Sequence, residues 1–230
     1  MTFQRSGNDG PGRTPRRRIP LADALWNLLF PTRCVGCGTS GHWLCPACID
    51  QILFFEPPWP QIVDEVLPLQ DVRSAAHLWG PLRQAIHSFK YEGLRALAGI
   101  LGDILYDCWD AAPWPVDIIV PVPLHPGRLR ERGYNQSALL AKELSRHSGL
   151  PVVDGVLLRI MPTRPQVGLD AVERAENVRD AFRCRNQSIG GLRVLVVDDV
   201  LTTGATLRAC GQALLQGNAR SVWGLTLAHD

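Results

Sequence analysis

Apolar residues concentrate in short runs at 117–122, 156–160, 194–197 and 222–227, rich in Val, Ile and Leu. Runs without polar alternation suit strands buried on both faces, so they predict a mainly parallel sheet covered by helices on each side. Between and before them, apolar positions recur at helical spacing over 81–90, 94–109, 135–147, 171–180 and 205–216. The expected class is therefore α/β, with the alternation of strand and helix starting near Val72. In such sheets ligands bind at the carboxyl ends of the strands.

The first 70 residues follow a different pattern. Residues 1–18 carry Gly, Pro, Ser and five Arg with almost nothing apolar, which predicts a disordered Arg-rich tail. Leu21, Leu25, Leu28 and Leu29 then make one stripe of a short amphipathic helix that ends before Pro31. With the cysteines that follow, this forms a predicted module over 19–56. Pro57-Pro58-Trp59-Pro60 opens a semi-rigid linker over 57–71, and 72–230 is the predicted main domain.

Cys34-x2-Cys37 and Cys45-x2-Cys48, seven residues apart, offer four thiolates at the spacing of a tetrahedral structural zinc site. Gly36 and Gly38 relax the first knuckle and Pro46 tightens the second. Disulfides or an iron–sulfur cluster would use the same four residues. The three single cysteines, Cys108, Cys184 and Cys210, read as small core hydrophobes.

Composition narrows the classes. With 46% hydrophobic and 20% charged residues the chain has the balance of a soluble globular protein, and no apolar run approaches the roughly 18 residues of a membrane helix. Asp23 and Asn27 interrupt the early apolar stretch, so no signal peptide is expected. A cytoplasmic, reducing location follows as an expectation, and it favours metal over disulfide at the paired cysteines. The formal net charge of +2 gives no bulk attraction for nucleic acid, so any such surface must be local. Lys90 and Lys142 are the only lysines among 24 basic residues; the other 22 are Arg, whose planar forks match phosphate oxygens, although a GC-rich genome would produce the same bias.

Two segments carry candidate chemistry. The strand from Val194 runs into Asp198 and Asp199, then a turn of Thr202, Thr203, Gly204, Ala205 and Thr206, then a helix. A helix start offers unpaired amides and a positive dipole end to a phosphate, the threonines add hydroxyl donors, and Gly204 clears the approach. The two carboxylates are placed for vicinal ribose hydroxyls, directly or through Mg. An ordinary turn capped by Asp and Thr has the same outline. The second segment, 121–136, is a Pro-stiffened strand end followed by Arg128, Arg130 and Arg132. Pro126, Gly127 and Gly133 bracket the arginines and predict a loop able to wrap a polyanion such as pyrophosphate. Between two strands, Thr163, Gln166, Leu169, Arg174, Asn177 and Val178 lie in a long polar crossover of the kind that closes over active sites.

Several ordered motifs resemble the ComF family of competence-associated proteins. They are the four-Cys ribbon, Phe89-Lys90-Tyr91-Glu92-Gly93, the run from Arg128 to Gln136, Arg174-Ala175-Glu176-Asn177-Val178, and the run from Val197 to Thr206. The resemblance spans about residues 20–228. It implies a type I phosphoribosyltransferase-like fold with a small N-terminal zinc ribbon. Phosphoribosyl pyrophosphate (PRPP) and Mg would bind near Asp198 and Asp199 as the catalytic pair, with the threonine loop and the arginines on the phosphates. It further implies phosphoribosyl transfer to an unidentified acceptor and a role in DNA uptake or natural competence, beside single-stranded DNA and a competence helicase. The alternative is a single-stranded-DNA-binding competence factor that uses the fold without catalysis; Trp43 and Tyr134 would then offer stacking surfaces.

Overall fold

Val72–His77 (β1), Ile118–Pro121 (β2), Arg193–Leu201 (β5) and Ser221–His229 (β6) form one sheet in the order β1-β6-β5-β2, with every pair parallel. Two further strands, Leu157–Arg159 (β3) and Phe182–Cys184 (β4), make a separate antiparallel pair. This computed structural model describes residues 32–59, 68–160, 181–185 and 188–230. The tail, the helix with Leu21 to Leu29, the helix at 171–180 and the crossover residues from Thr163 to Val178 lie outside the described residues. The chain divides into two compact units, Met1–Thr32 and Arg33–Asp230, and every described element belongs to the second.

Side chains alternate across a strand, and β5 shows how this splits the core. Leu195 and Val197 share one buried cluster with Leu82, Leu101 and Leu140. Val194 and Val196 join the other, with Leu207 and Leu214. The first face is covered by Gly80–Tyr91 (α2), Leu97–Asp110 (α3) and Gln136–Ser148 (α5), the second by Ala205–Gln216 (α6) and the β3–β4 pair. A parallel sheet with helices on both faces is thus what the apolar runs predict and what forms. The α3–α5 contact is close enough that a Cβ on Gly102 would lie 2.3 Å from Glu143 Cβ.

Two strand expectations need correction. The run 156–160 does not enter the main sheet. Leu158 and Arg159 are only half-buried, and the segment pairs instead with β4, one face on the second cluster. Conversely, β1 carries no long apolar run, yet it lies in the main sheet. Its polar Ser74 is tolerated in the core because the Ser74 and Thr226 hydroxyls bond each other at 2.6 Å.

The cysteine module packs on the same core. Leu44, Cys45, Cys48 and Ile52 belong to the cluster that contains Leu82 and Ile86, and Pro46–Ile49 (α1) touches α2. Beyond it, Leu53 and Phe55 extend the sheet: the His77 amide donates to Leu53 O (2.9 Å) and the Phe55 amide to Ala75 O (3.0 Å). This covers an otherwise open edge. Among the described residues no helix is long and apolar enough to cross a membrane.

Candidate functional site

The sheet is uneven at its carboxyl end, and that unevenness makes the site. β2 stops where Pro121 pairs with Val197, while β5 continues to Leu201 beside β6. Asp198 and Asp199 therefore emerge just past the neighbouring strand. A solvent-open cleft of about 780 Å³ lies there, lined by both carboxylates, residues 202–206, Arg128, Arg132, Lys90 and Arg159.

The two carboxylates are held by different elements, Asp198 from α5 and Asp199 from the end of α2. Asp198 Oδ1 accepts from Ser137 Oγ at 2.8 Å and from the Asp199 amide at 2.9 Å. Burial, and then the charge of Asp199, push Asp198 up to about 7, against the pull of Lys90 and Ser137. Asp199 Oδ1 meets Lys90 Nζ at 2.8 Å, while its Oδ2 is buried without a hydrogen-bond partner. Cys210, fully buried, is held well above the ordinary thiol range by burial and then by Asp198.

α6 begins at Gly204, whose φ of 73° is left-handed and free of Cβ strain only for glycine. No side-chain hydrogen bond caps the helix at Gly204, and the Ala205 amide lies 3.5 Å from Thr203 Oγ1. Thr202, Thr203, Gly204, Ala205 and Thr206 all line the cleft.

The arginine segment differs from expectation. Pro126–Arg132 is a short α-helix (α4) rather than a loop. Pro126 sits at its first position, the His125 ring accepts from the Gly127 amide at 3.2 Å, and Gly133 closes it at φ 76°. Pro at the start and Gly past the end are helix punctuation as well as loop signals. Helical spacing then separates the arginines. Arg128 and Arg132, one turn apart, line the cleft, whereas Arg130 is exposed and does not. The Asn135 side chain fixes the following helix, accepting from the Ser137 amide at 3.1 Å and donating to Val122 O at 2.9 Å.

Tyr134 does not offer a stacking surface. It is 7% exposed, its ring lies 5.8 Å from that of Phe89 with Arg95 on one face, and its hydroxyl donates to Phe89 O. Tyr91, 63% exposed and beside Arg132, is the aromatic residue at the cleft. Three cleft residues, Lys90, Ser137 and Arg159, received no role from the sequence. Lys90 carried a signal, being one of the chain's two lysines and lying inside a family-like motif; Ser137 carried none. Burial, followed by the charge of Arg128, lowers Arg159 from its usual range, and both guanidiniums line the cleft.

Away from the cleft, Cys34, Cys37, Cys45 and Cys48 form one cluster with all four sulfurs within 4.8 Å of one another. The pairs Cys34–Cys48 and Cys37–Cys45 are 3.6 and 3.5 Å apart. Burial alone would raise Cys34, but the amides of Cys45, Cys37 and Gly36 outweigh it and hold the thiol at about 6. A Cβ on Gly36 would lie 2.7 Å from Cys48 Sγ, so the knuckle closes only around glycine. The cluster can hold a metal ion.

Fold and site together define a parallel α/β protein with a carboxyl-end cleft lined by paired carboxylates, threonines and arginines, joined to a four-cysteine module. The chain is 31% identical to Competence protein F of Haemophilus influenzae over 207 residues, covering 85% of this chain and 84% of the relative. It is 30% identical to the DNA utilization protein YhgH of Escherichia coli K12 over 229 residues, covering 92% and 94%. Identity to Competence protein ComFC of Bacillus subtilis is 28% over 225 residues, covering 90% of each. The chain belongs to the ComF family of competence and DNA utilization proteins. No protein-family model matches it. Similar solved structures include the glutamine PRPP amidotransferase from B. subtilis (TM-score 0.41, 18% identity, 56% of this chain and 26% of that one). Another is the adenine phosphoribosyltransferase from Leishmania tarentolae (TM-score 0.39, 16% identity, 62% and 75%). The chain spans about a quarter of the amidotransferase's length.

Proposed function

We propose that the cleft binds PRPP with Mg and that the four thiolates hold a structural zinc, in a protein acting on incoming DNA in the cytoplasm. The observation that carries the PRPP reading is the convergence of the α6 start, the paired carboxylates and the α4 arginines on one cleft. The first turn of α6 takes the 5′-phosphate, Asp198 and Asp199 receive the ribose hydroxyls, and Arg128 and Arg132 take the pyrophosphate. Mg requires hard oxygen ligands, and the buried, unpartnered Asp199 Oδ2 is one such atom. When bound it would offset negative charge on the pyrophosphate. In a transfer, an acceptor nucleophile bonds to the anomeric carbon as the bond to pyrophosphate breaks, and the electron pair leaves with the pyrophosphate oxygen. The arginines stabilise that departing charge.

For zinc, a Zn–S bond of about 2.3 Å places tetrahedral sulfurs about 3.8 Å apart, close to the separations observed here. Four thiolates fill the coordination shell, so the metal stabilises the module and does no chemistry.

The relatives' names, Competence protein F and DNA utilization protein, favour a second reading: single-stranded DNA binding with the cleft as a regulatory site. Calorimetric titration of PRPP with Mg tests the first. Saturable binding to wild type, lost in Asp198→Asn/Asp199→Asn, is the expected result; no binding to folded wild type overturns it. DNA affinity that falls steeply with salt, without turnover against any acceptor, would favour the second.

A further inference from the structure

Lys90 and Asp199 form the best-sheltered ion pair among the described residues, 2.8 Å apart with side chains 18% and 5% exposed. The pair is lopsided. Asp199 Oδ1 has the ammonium, and Oδ2, itself buried, has no hydrogen-bond partner. A buried carboxylate oxygen without a donor is costly, so the ammonium alone leaves Asp199 incompletely satisfied. Asp198 differs, because its Oδ1 already takes two donors.

The backbone beneath Lys90 is anchored. Phe89 is fully buried and its carbonyl accepts from Tyr134, and the Glu92 amide closes the helix on Ser88 O at 3.1 Å. From that anchor a four-carbon stem carries a compact ammonium with rotatable donors. The cleft it borders, with Arg128 and Arg132 on another side, gives it room to turn toward a bound phosphate.

Resting on the PRPP and Mg reading, we infer that Lys90 is a displaceable counter-ion that occupies Asp199 while the cleft lacks phosphate and keeps divalent metal off that carboxylate. A metal and an ammonium on one buried carboxylate repel. Metal alone offers the ammonium no new partner, so it competes poorly. A pyrophosphate supplies that partner: Lys90 turns to a phosphate oxygen and the metal takes Asp199. Metal and phosphate then raise each other's affinity reciprocally, and the protein admits the metal with its phosphate ligand rather than before it.

The probe is Mn2+ alone, titrated by electron paramagnetic resonance with no phosphate present. Removing the counter-ion in Lys90→Met should tighten Mn2+ binding roughly tenfold, within the range usual for coupled sites. Lys90→Arg, which keeps the charge, should stay as weak as wild type, and Lys90→Met/Asp199→Asn should lose the gain. Lys90→Gln serves the same purpose should the Met variant not fold. Equal Mn2+ affinity in wild type and a folded Lys90→Met or Lys90→Gln protein overturns the inference, as does a gain that survives Asp199→Asn. The two readings fail separately. Wild type that binds PRPP with Mg, paired with a Lys90→Met protein showing no gain, removes the counter-ion and leaves the ligand. An Asp199-dependent gain in a protein that ignores PRPP does the reverse.

Discussion

The Ser137 hydroxyl donates to Asp198 across 2.8 Å, tying the first turn of α5 to the end of β5. Both residues are buried, and the bond favours the ionised carboxylate. In Ser137→Ala that support goes, so Asp198 should titrate still higher. A carboxyl carbon NMR titration reads the shift directly, and a buried hydrogen bond of this kind should cost about 1 kcal/mol in a denaturant melt. An unmoved titration would mean the hydroxyl does not hold the charge.

Asp198 also sets a pH dependence whose sign follows from its upward shift. Its folded value, about 7, exceeds the usual 3.8, so between those limits the folded state holds a proton that the unfolded state has released. Stability from this group is then present below about 4 and declines as pH rises to about 7. Asp198→Asn should flatten the decline in chemical denaturation measured at pH 5 and pH 8. Ligand binding runs the other way. If the ionised carboxylate receives the ribose, PRPP affinity should weaken as pH falls below about 7.

Helical spacing in α4 separates three arginines that look equivalent in sequence. Arg128→Ala and Arg132→Ala should each weaken pyrophosphate binding about tenfold, the scale of one charge-assisted hydrogen bond. Arg130→Ala should stay within about twofold, because Arg130 lies outside the cleft lining. Calorimetry on the three variants decides it, and an equal loss in all three would argue for the extended loop.

At the four-thiolate module, Gly36→Ala places a methyl 2.7 Å from Cys48 Sγ and 3.2 Å from Pro81 Cβ. The sulfur cannot yield without opening the cluster, so a loss of about 1–3 kcal/mol is expected, together with reduced zinc content by atomic emission. Chelation of wild type should release one zinc per chain and lower the melting temperature. A protein purified metal-free with an unchanged melt would overturn the zinc assignment.

Much of this was legible in the chain. The apolar runs at 117–122, 194–197 and 222–227 determined a parallel sheet, because strands covered on both faces favour them, whereas the similar run at 156–160 paired antiparallel outside it. The paired Cys-x2-Cys spacing determined one thiol cluster, and Asp198 to Thr206 determined a strand end, turn and helix start, since each is local in sequence. What the tertiary structure decided was non-local or depended on phase. Lys90 and Ser137 reach Asp199 and Asp198 from 109 and 61 residues away, through packing that no local pattern encodes. Arg130 leaves the cleft because α4 turns by helical rather than extended geometry, and Pro and Gly punctuate both. Tyr134 became core because Phe89 and Arg95 enclose it. β1 tolerates a polar Ser74 in the core because its hydroxyl pairs with that of Thr226, a match visible only once two residues 152 apart lie side by side.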